Sequence, residues 1–515
     1  MIEDKKELKQ VKGKELYKKV LGLRKSLEPT WRDCAQLTLP YIFPQTDNHN
    51  QSDILPTPYN SIGSSSVNVL ASKLLVALLP PSGVFFRLLP DSKVTKDLSP
   101  DEENKLDSEL SDIEQEVIEM INQQALRVPV FEAVKLLIVT GNVAMYKVKN
   151  GTFKVFSPYQ YVVQRDYIGN LLYAVIKEKI SWEVLPEKVQ EQIEAKEGLT
   201  EETNDTTEGF KQVDIYTTIM REETKYIVKQ EVAGIVIEGT IKTYSEQDLP
   251  YLFLRWNTVN NESYGRGLVE QYLGDLRSLE GLTQTIVEGS GISAMHLFGL
   301  RAGSTLKVED LNNTRNGQFV LGDLEREVST LQVNKTADLQ VPLKLMEMLE
   351  QRIAKAFLVL GGQIRDSERT TAAEVRATVA ELESTLGGIF SVLANEFQKP
   401  LITLMLKELS PDALKVATPS ITTGISAISR ERDFQNLNTM LQSVAQLGGD
   451  VLTKYMNIDR YLAEVATALG VSSEGLIKTP EQIQQEEQQQ MQLQQQQVAQ
   501  QQQLEGFKAG MKGGK

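Results

Sequence analysis

Apolar residues recur every three or four positions over three long stretches in the second half of the chain. The first stretch covers residues 264–288, the second 341–360 and the third 371–408. This spacing places the apolar side chains on one face of a helix, so the pattern predicts three amphipathic helices. Residues 293–335, between the first two helices, are mixed in pattern and rich in turn-forming residues.

The third helix is predicted to be the longest and to be irregular. It begins at Thr371-Ala-Ala-Glu374, which is typical of a capping box. If it were straight, the helix would extend for about 57 Å. A kink is expected at Gly387-Gly388 and at Pro400, because both sequences weaken helical hydrogen bonding.

The first half of the chain changes from helical to strand-like patterning at Asn142. Helical spacing is found before that residue, at positions 4–39, 64–79, 101–124 and 130–140. Residues 142–257 contain short β-branched and aromatic runs separated by Gly, Asn and Asp, which predict a β-rich region. A helix and an acidic, apolar-poor loop are expected to interrupt this region at 181–210.

The C-terminal part is predicted to be helical at first and then low in complexity. Helices are expected at about 429–447, 449–456 and 458–470, and residues 481–503 are mostly Gln. The Gln-rich segment is interpreted either as a disordered tail or as a helix that forms only beside copies of itself. The chain as a whole is therefore expected to be α+β and mainly helical.

Composition narrows the classes of function. A chain of 515 residues suggests roughly two to four domains. The net charge of −14 argues against a high-affinity nucleic-acid binder. No signal peptide is expected, and the apolar run Val67–Leu79 is too short for a membrane span. These features predict a cytosolic protein, or part of a particle assembled in a cytosol.

Residues for catalysis are sparse in the sequence. His49 and His296 occur in unrelated contexts, and Cys34 is a single cysteine expected to be a small buried side chain. No zinc-binding spacing and no phosphate-binding P-loop occur. Carboxylate clusters are interpreted as solvated faces, although an unrecognised carboxylate-based site stays open. We expect no catalytic residues, no metal site and no cofactor.

The segment Gly361–Thr370 is the candidate functional site. It joins the second and third helices and carries four charged residues, Arg365, Asp366, Glu368 and Arg369. One interpretation is an ordinary solvated loop. The other depends on the family that the chain resembles.

Several strings resemble the portal, or head-to-tail connector, proteins of short-tailed, podovirus-type bacteriophages. These strings are ESYGR at 262–266, YLGDLRSLE at 272–280, ELESTLGGIFSVL at 381–393, NVLASKLLVALLPP at 68–81, ALRVPVFEAVKLLIVTGNV at 125–143 and YVVQRDYIGN at 161–170. They occur in the expected order between about Leu16 and Leu476. The resemblance implies a ring of about twelve subunits around a DNA channel, at one vertex of the capsid.

The resemblance also implies a division into named regions. The predicted regions are a wing at 1–261 (helices at 1–141, β-rich at 142–257), a first stem helix at 262–292, a clip at 293–335, a second stem helix at 336–360, a tunnel loop at 361–370, a long wing helix at 371–408, a crown at 409–480 and a Gln-rich tail at 481–515. In this arrangement Arg365, Asp366, Glu368 and Arg369 would line the narrowest part of the channel.

The implied function is structural. Such a ring would nucleate head assembly, dock the terminase large subunit, pass double-stranded DNA during packaging and ejection, and attach the tail through adaptor and tail-tube proteins. Capsid, scaffolding and internal core proteins would be further partners. The protein would be assembled in the bacterial cytoplasm and reside in the virion. The alternative is a coat or scaffold protein that forms no ring of fixed size.

Overall fold

The computed structural model describes residues 12–43, 55–80, 85–91, 100–195, 205–207, 210–294, 296–304, 306–313, 321, 323–332, 336–359, 381–382, 384–421, 439 and 442. The chain divides into two compact units, which are Met1–Ser82 with Met120–Leu409, and Gly83–Glu119 with Ser410–Lys515. Helices and strands are both present, and helices predominate, so the mixed, mainly helical fold class is confirmed.

The α-helices, in chain order, are α1 (Gly13–Lys25), α2 (Glu28–Gln36), α3 (Ile62–Leu78), α4 (Pro100–Gln123), α5 (Arg127–Thr140), α6 (Glu187–Ala195), α7 (Leu268–Gln271), α8 (Leu273–Ala294), α9 (Val308–Asn312), α10 (Leu324–Glu327), α11 (Thr336–Ala356), α12 (Gly388–Leu393), α13 (Lys399–Leu409) and α14 (Ala413–Val416). The strands are β1 (Phe86–Pro90), β2 (Asn142–Lys147), β3 (Phe153–Phe156), β4 (Tyr161–Arg165), β5 (Leu171–Ser181), β6 (Asp205–Thr207), β7 (Phe210–Glu222), β8 (Lys225–Val232), β9 (Ile235–Val236), β10 (Lys242–Ser245), β11 (Tyr251–Arg255), β12 (His296–Leu300), β13 (Val328–Gln332) and β14 (Ala417–Ile421).

An antiparallel sheet forms most of the β-rich region of the first unit. Its strand order is β10-β8-β7-β5-β4, with β6 paired to β7 and β9 paired to β8. Helix α1 packs on this sheet through a cluster made of Leu16, Tyr17, Val20, Val162, Val175 and Tyr216. The expected acidic loop is partly wrong, because β6 lies inside it and pairs with Phe210, Lys211 and Gln212 of β7.

Helices α3 and α5 pack against each other in the same unit. Both are buried on most of their faces, which explains why their apolar residues do not form a single stripe. Within the described ranges, no helix combines the length and the apolar character that crossing a membrane would require.

The string ESYGR is an extended turn rather than the start of a helix. The side chain of Asn142 accepts a hydrogen bond from the amide of Gly265 (2.7 Å) and donates one to its carbonyl (2.8 Å). The hydroxyl of Tyr264 accepts a bond from the amide of Val163 at 3.1 Å. These long-range bonds hold residues 263–267 outside helical geometry, and α7 begins only at Leu268. The predicted helix 264–288 therefore starts later and continues to Ala294.

The other two predicted helices also differ in their bounds. Helix α11 begins five residues before the predicted start at 341 and ends at Ala356. The third helix is described from Glu381 onward, and it is interrupted at Gly387, whose φ is +39°. A π-helical turn at Ala394–Gln398 immediately precedes the segment with Pro400. The irregularity expected at Gly387-Gly388 is therefore present. The one expected at Pro400 lies in the turn just before it, because a proline lacks the amide that a regular helix needs.

The second unit contains strands where only helices were expected. Strand β1 pairs antiparallel with β14, with Phe86 opposite Ile421 and Leu88 opposite Pro419. Glu114 of α4 accepts a hydrogen bond from the amide of Leu88 at 2.7 Å. The predicted helices at 429–447, 449–456 and 458–470 and the Gln-rich tail lie outside the described residues.

Candidate subunit interface

Helices α8 and α11 form an antiparallel pair. The rings of Tyr272, at the start of α8, and Phe357, just after α11, lie edge to face with centroids 5.7 Å apart. Further along α8, the hydroxyl of Thr283 donates to the sulfur of Met346 at 3.7 Å. Residue numbers therefore rise along α8 as those of the contacting residues fall along α11, as in an antiparallel pair. The pair forms an arm that leads to the insert between the two helices.

One side of α11 is buried, and a neighbouring side is exposed. Leu349 and Ile353 are 6% and 0% exposed, whereas Val341, Leu345 and Met348 are 74%, 41% and 53% exposed. The last three recur at intervals of four and three residues and form one stripe, called here the outer stripe. Leu345 thus differs in exposure from Leu349 and Ile353, although all three recur at intervals of four residues.

The outer stripe has the composition of a protein interface. Its three apolar side chains are flanked by the exposed Lys344 and Glu347. An apolar centre with a charged rim is common at protein–protein contacts, and contiguous exposed apolar surface is unusual on soluble monomers. The stripe is therefore the best candidate on the arm for contact with another protein.

A polar node attaches the arm to α3. The side chain of Asn60 accepts a hydrogen bond at 2.8 Å from the amide of Ile62, the first residue of α3. Its side-chain amide donates to Glu350 of α11 at 2.9 Å. The backbone amide of Asn60 donates to Glu280 of α8 at 3.2 Å. One residue thus joins three helices and fixes where the arm leaves the rest of the first unit.

The insert at the far end of the arm is a small β-ribbon with short helices. Strands β12 and β13 pair antiparallel from His296–Gln332 to Leu300–Val328. Glu327 accepts a hydrogen bond from the hydroxyl of Ser304 at 2.7 Å, which ties the chain after β12 to α10. The described part of the insert exposes Val308 (59%), Leu321 (98%) and Leu324 (47%). These exposed apolar side chains make the insert a second candidate contact surface.

The residues that the sequence predicted as the functional site lie outside the described part of the chain. These are Arg365, Asp366, Glu368 and Arg369, in the segment between Val359 and Glu381. Both flanks of that segment are described, and α11 ends three residues before it.

Cys34 and His296 are the cysteine and the histidine among the described residues. Burial raises the pKa of the Cys34 thiol to about 12, so the thiolate form is suppressed at neutral pH. No group of three His, Cys, Asp or Glu side chains among the described residues could hold a metal ion. His49 lies outside the described residues, and His296 begins strand β12.

Comparison with protein families gives a match over nearly the whole chain. Residues 11–477 match the model of the bacteriophage head to tail connecting proteins. The chain belongs to this family.

Individual members of the connector family support the same assignment. The chain is 35% identical over 489 residues to the portal protein of Escherichia phage T7, covering 92% of this chain and 89% of that one. It is 34% identical over 486 residues to the portal protein of Enterobacteria phage T3, again covering 92% and 89%. Among solved structures, the neck of an empty gene transfer agent particle is similar at a TM-score of 0.36 and 10% identity, covering 74% of this chain and 86% of that one. This weak similarity does not contribute to the assignment.

Membership of the connector family decides between the functions considered from the sequence. The expected portal, or head-to-tail connector, role is confirmed. The alternative of a coat or scaffold protein receives no support.

The sequence patterns did not reveal the polar node or the outer stripe. Asn60 lies in a turn-rich segment and precedes Ser61, the N-cap residue of α3. Its bonds to Glu280 and Glu350 link positions more than 200 residues apart, and no local pattern encodes such a link.

Proposed function

We propose that this chain forms a closed ring of about twelve copies that connects the phage head to the tail and surrounds a channel for double-stranded DNA. The observation that carries the proposal is the outer stripe on α11, in a chain of the head-to-tail connecting family. A closed ring needs two different surfaces on each subunit, which meet head to tail. The outer stripe supplies one of them.

The outer stripe fits a ring because, at each contact between subunits, the neighbouring copy would cover its apolar surface. Burying apolar surface stabilises association by about 25 cal/mol per Å². Val341 and Met348 are each more than half exposed in the single chain. Covering them with the helix pair of the next copy would stabilise the ring without a partner of another kind.

The acidic composition fits a channel through which DNA slides. About twelve chains of charge −14 carry 12 × −14 = −168 in total. Neutralising many phosphates with Lys and Arg gives tight, salt-dependent binding, which would slow a sliding polymer. A largely negative wall with a few basic rings would keep the DNA centred and free to move.

We assign the basic rings to Arg365 and Arg369, as a tunnel loop at 361–370 would place them. Each would be repeated in every subunit and face DNA phosphates. The neighbouring Asp366 and Glu368 would prevent these rings from holding the DNA too tightly.

The remaining regions follow the same arrangement. We place the wing at 1–261, stem helices at 262–292 and 336–360, the clip at 293–335, the long wing helix at 371–408, the crown at 409–480 and the Gln-rich tail at 481–515. The clip would meet the terminase large subunit during packaging and the tail adaptor afterwards. Capsid, scaffolding and internal core proteins would contact the wing and crown.

In this function the chain acts as a structural part rather than as an enzyme. ATP hydrolysis would belong to the terminase. The ring would be assembled in the host cytoplasm and remain at one vertex of the virion.

The first test is the native mass of the purified protein with end-on single-particle images. The wild-type protein should form rings of about twelve copies with an open axial channel. Leu345→Glu should prevent ring formation, because every subunit contact would have to bury a carboxylate. Monomers, filaments or shells from the wild-type chain would refute the proposal.

A matched control separates the interface from general solubility effects. Ile241 is 62% exposed and lies between β9 and β10, outside the two helices of the arm. Ile241→Glu introduces the same charge at an exposed apolar position and should leave the rings intact. If both variants form rings, the outer stripe is not an interface.

The second test concerns the tunnel loop. Reversing both charges, Arg365→Glu with Arg369→Glu, should leave rings intact and reduce the DNA that particles package or retain. Normal packaging and retention would mean that residues 361–370 form an ordinary solvated loop.

A further inference from the structure

Lys73 is a buried lysine in the middle of α3. It is 2% exposed, and its neighbours Leu70, Leu74 and Leu75 are also buried. An ammonium group inside a protein is unfavourable unless it is paired and hydrogen-bonded. A lysine at this position therefore needs specific partners, and the structure provides two.

The two partners lie on either side of the segment 360–380. The ammonium of Lys73 donates to the carbonyl oxygen of Leu358 at 2.9 Å and to the carboxylate of Glu381 at 2.8 Å. Leu358 is two residues beyond the end of α11, and Glu381 is the first described residue of the long helix. One side chain thus joins two chain positions that are 23 residues apart in sequence.

The backbone at Leu358 is in an unusual conformation that its contacts maintain. Its φ is +58°, in the left-handed region that glycine usually occupies after a helix. The amide of Leu358 donates to the carbonyl of Lys355 at 3.2 Å, and that of Val359 to the carbonyl of Ala354 at 2.7 Å. These two bonds form a Schellman motif, with leucine in the place of glycine.

Leucine rather than glycine at this position indicates that the conformation is enforced. Its side chain is 8% exposed, and its carbonyl is held by Lys73. Non-glycine residues with positive φ persist where the surrounding structure over-determines them, and they are concentrated at functional sites.

We propose that Lys73 is a positioning residue that fixes both ends of the segment 360–380 from within the predicted wing. This assignment deepens the proposed function, and its role in DNA passage rests on it. The outgoing end is held through the carbonyl of Leu358 and the returning end through Glu381. Without the ammonium, neither end has its bond to α3.

A second buried lysine in the same unit provides a matched control. Lys147 of β2 is 3% exposed and bonds Glu408 of α13 at 3.3 Å, with further bonds to the carbonyls of Val148 and Gly151. It resembles Lys73 in burial and in pairing with a carboxylate of the same helical stretch. Its bonds within the described residues do not include Leu358 or Glu381.

The experiment is timed trypsin digestion of assembled rings, with mass spectrometry of the cleavage products. Cleavage after Arg365 and Arg369 reports directly on the segment between the two ends. Lys73→Met should accelerate these two cleavages about tenfold, because local opening controls access of the protease. Lys147→Met should leave them within about twofold of the wild-type rate.

Equal cleavage rates in the Lys73→Met, Lys147→Met and wild-type rings would overturn the proposal. Equal acceleration by both lysine variants would also overturn it, because a general loss of stability would then explain the result. If Lys73→Met forms no rings, Glu381→Gln provides the test, since it weakens one bond and keeps the lysine. Wild-type cleavage in Glu381→Gln rings would then count against the proposal.

Packaging assays on the same rings separate this inference from the proposed function. Faster cleavage together with altered DNA packaging or retention supports both the anchoring by Lys73 and the channel role of the segment. Faster cleavage with normal packaging and retention supports the anchoring by Lys73 and contradicts a channel role for the segment. Unchanged cleavage overturns the anchoring, whatever the packaging result.

Discussion

Replacing Gly141 by alanine tests a close contact between two backbone segments of the first unit. Gly141 follows α5 with a φ of +79°, and its amide donates to the carbonyl of Leu137 at 2.9 Å. A Cβ atom at this position would lie 2.4 Å from the amide nitrogen of Gly267 and 2.8 Å from the carbonyl oxygen of Gly265. Both are backbone atoms, so no side-chain rotation can relieve the contact.

The expected loss has two parts. The left-handed conformation costs a non-glycine residue about 1–2 kcal/mol, and overpacking a tight interior site costs about 1–3 kcal/mol. Gly141→Ala should therefore lower the free energy of unfolding by about 2–5 kcal/mol. Gly239 has a similar φ of +77°, but a Cβ atom there would have no other atom within 4 Å. Gly239→Ala should therefore lower the free energy of unfolding only by the conformational cost, about 1–2 kcal/mol.

The two variants are compared by thermal unfolding and by amide hydrogen exchange. The amide of Trp256 donates to the carbonyl of Gly141 at 2.9 Å, so its exchange reports on the contact itself. Gly141→Ala should lower the midpoint more than Gly239→Ala and speed exchange at Trp256. If both variants lower the thermal unfolding midpoint equally and leave the exchange of the Trp256 amide unchanged, the close backbone approach does not contribute to stability.

Three further outcomes are expected. Cys34 should resist thiol reagents in the folded protein at pH 8 and react fully in denaturant, because burial raises its pKa to about 12. Hydrogen bonds from Arg266 lower the pKa of Glu262, so their stabilisation is present above the ordinary Glu pKa of about 4.3 and is lost as the pH falls through the lowered value. Glu262→Gln should therefore lower the thermal midpoint at neutral pH, with a difference from wild type that shrinks in acid; a constant difference contradicts this. Arg24→Met removes the ion pair to the buried Glu28 and should cost about 3–5 kcal/mol in urea unfolding. An unchanged urea midpoint would show that this buried pair contributes nothing.

Elements set by local pattern were predictable from the sequence. The periodicity indicated α3 at 64–79 and α4 at 101–124, and the structure has them at Ile62–Leu78 and Pro100–Gln123. Alternation and turn residues indicated the β-rich region. Proline and paired glycines indicated where the long helix departs from regularity. Each of these signals acts within a few residues, so the chain itself carries it.

Elements set by distant partners were not predictable. Strand β1 forms because Phe86–Pro90 meets residues 417–421, more than 300 positions away. The ESYGR turn is held outside a helix by Asn142, although its apolar spacing continues that of α8. Lys73 lies in an apolar helical run, and nothing in that run indicates which groups its ammonium would contact. Its bonds to Leu358 and Glu381 depend on how α3, α11 and the long helix pack, which no local pattern records.

The attachment of the long helical stretch from Glu381 to Glu408 could not be predicted from its apolar periodicity. Within the described residues, three of its carboxylates each meet a cation from a different element: Glu381 with Lys73 of α3, Glu396 with Arg255 of β11, and Glu408 with Lys147 of β2. Glu408 lies 27 positions after Glu381. In an uninterrupted helix this separation would make about seven and a half turns, so the two side chains would point in opposite directions.

The break at Gly387 and the π-helical turn at Ala394–Gln398 change that geometry, because each alters the rotation between the pieces that it separates. Glu381 lies before the break, Glu396 lies in the π-helical turn and Glu408 lies after it. The three cations therefore hold three successive parts of the stretch. The same carboxylates on a regular helix would be read as an ordinary solvated face. The irregularities, rather than the periodicity, therefore determine which carboxylate meets which cation.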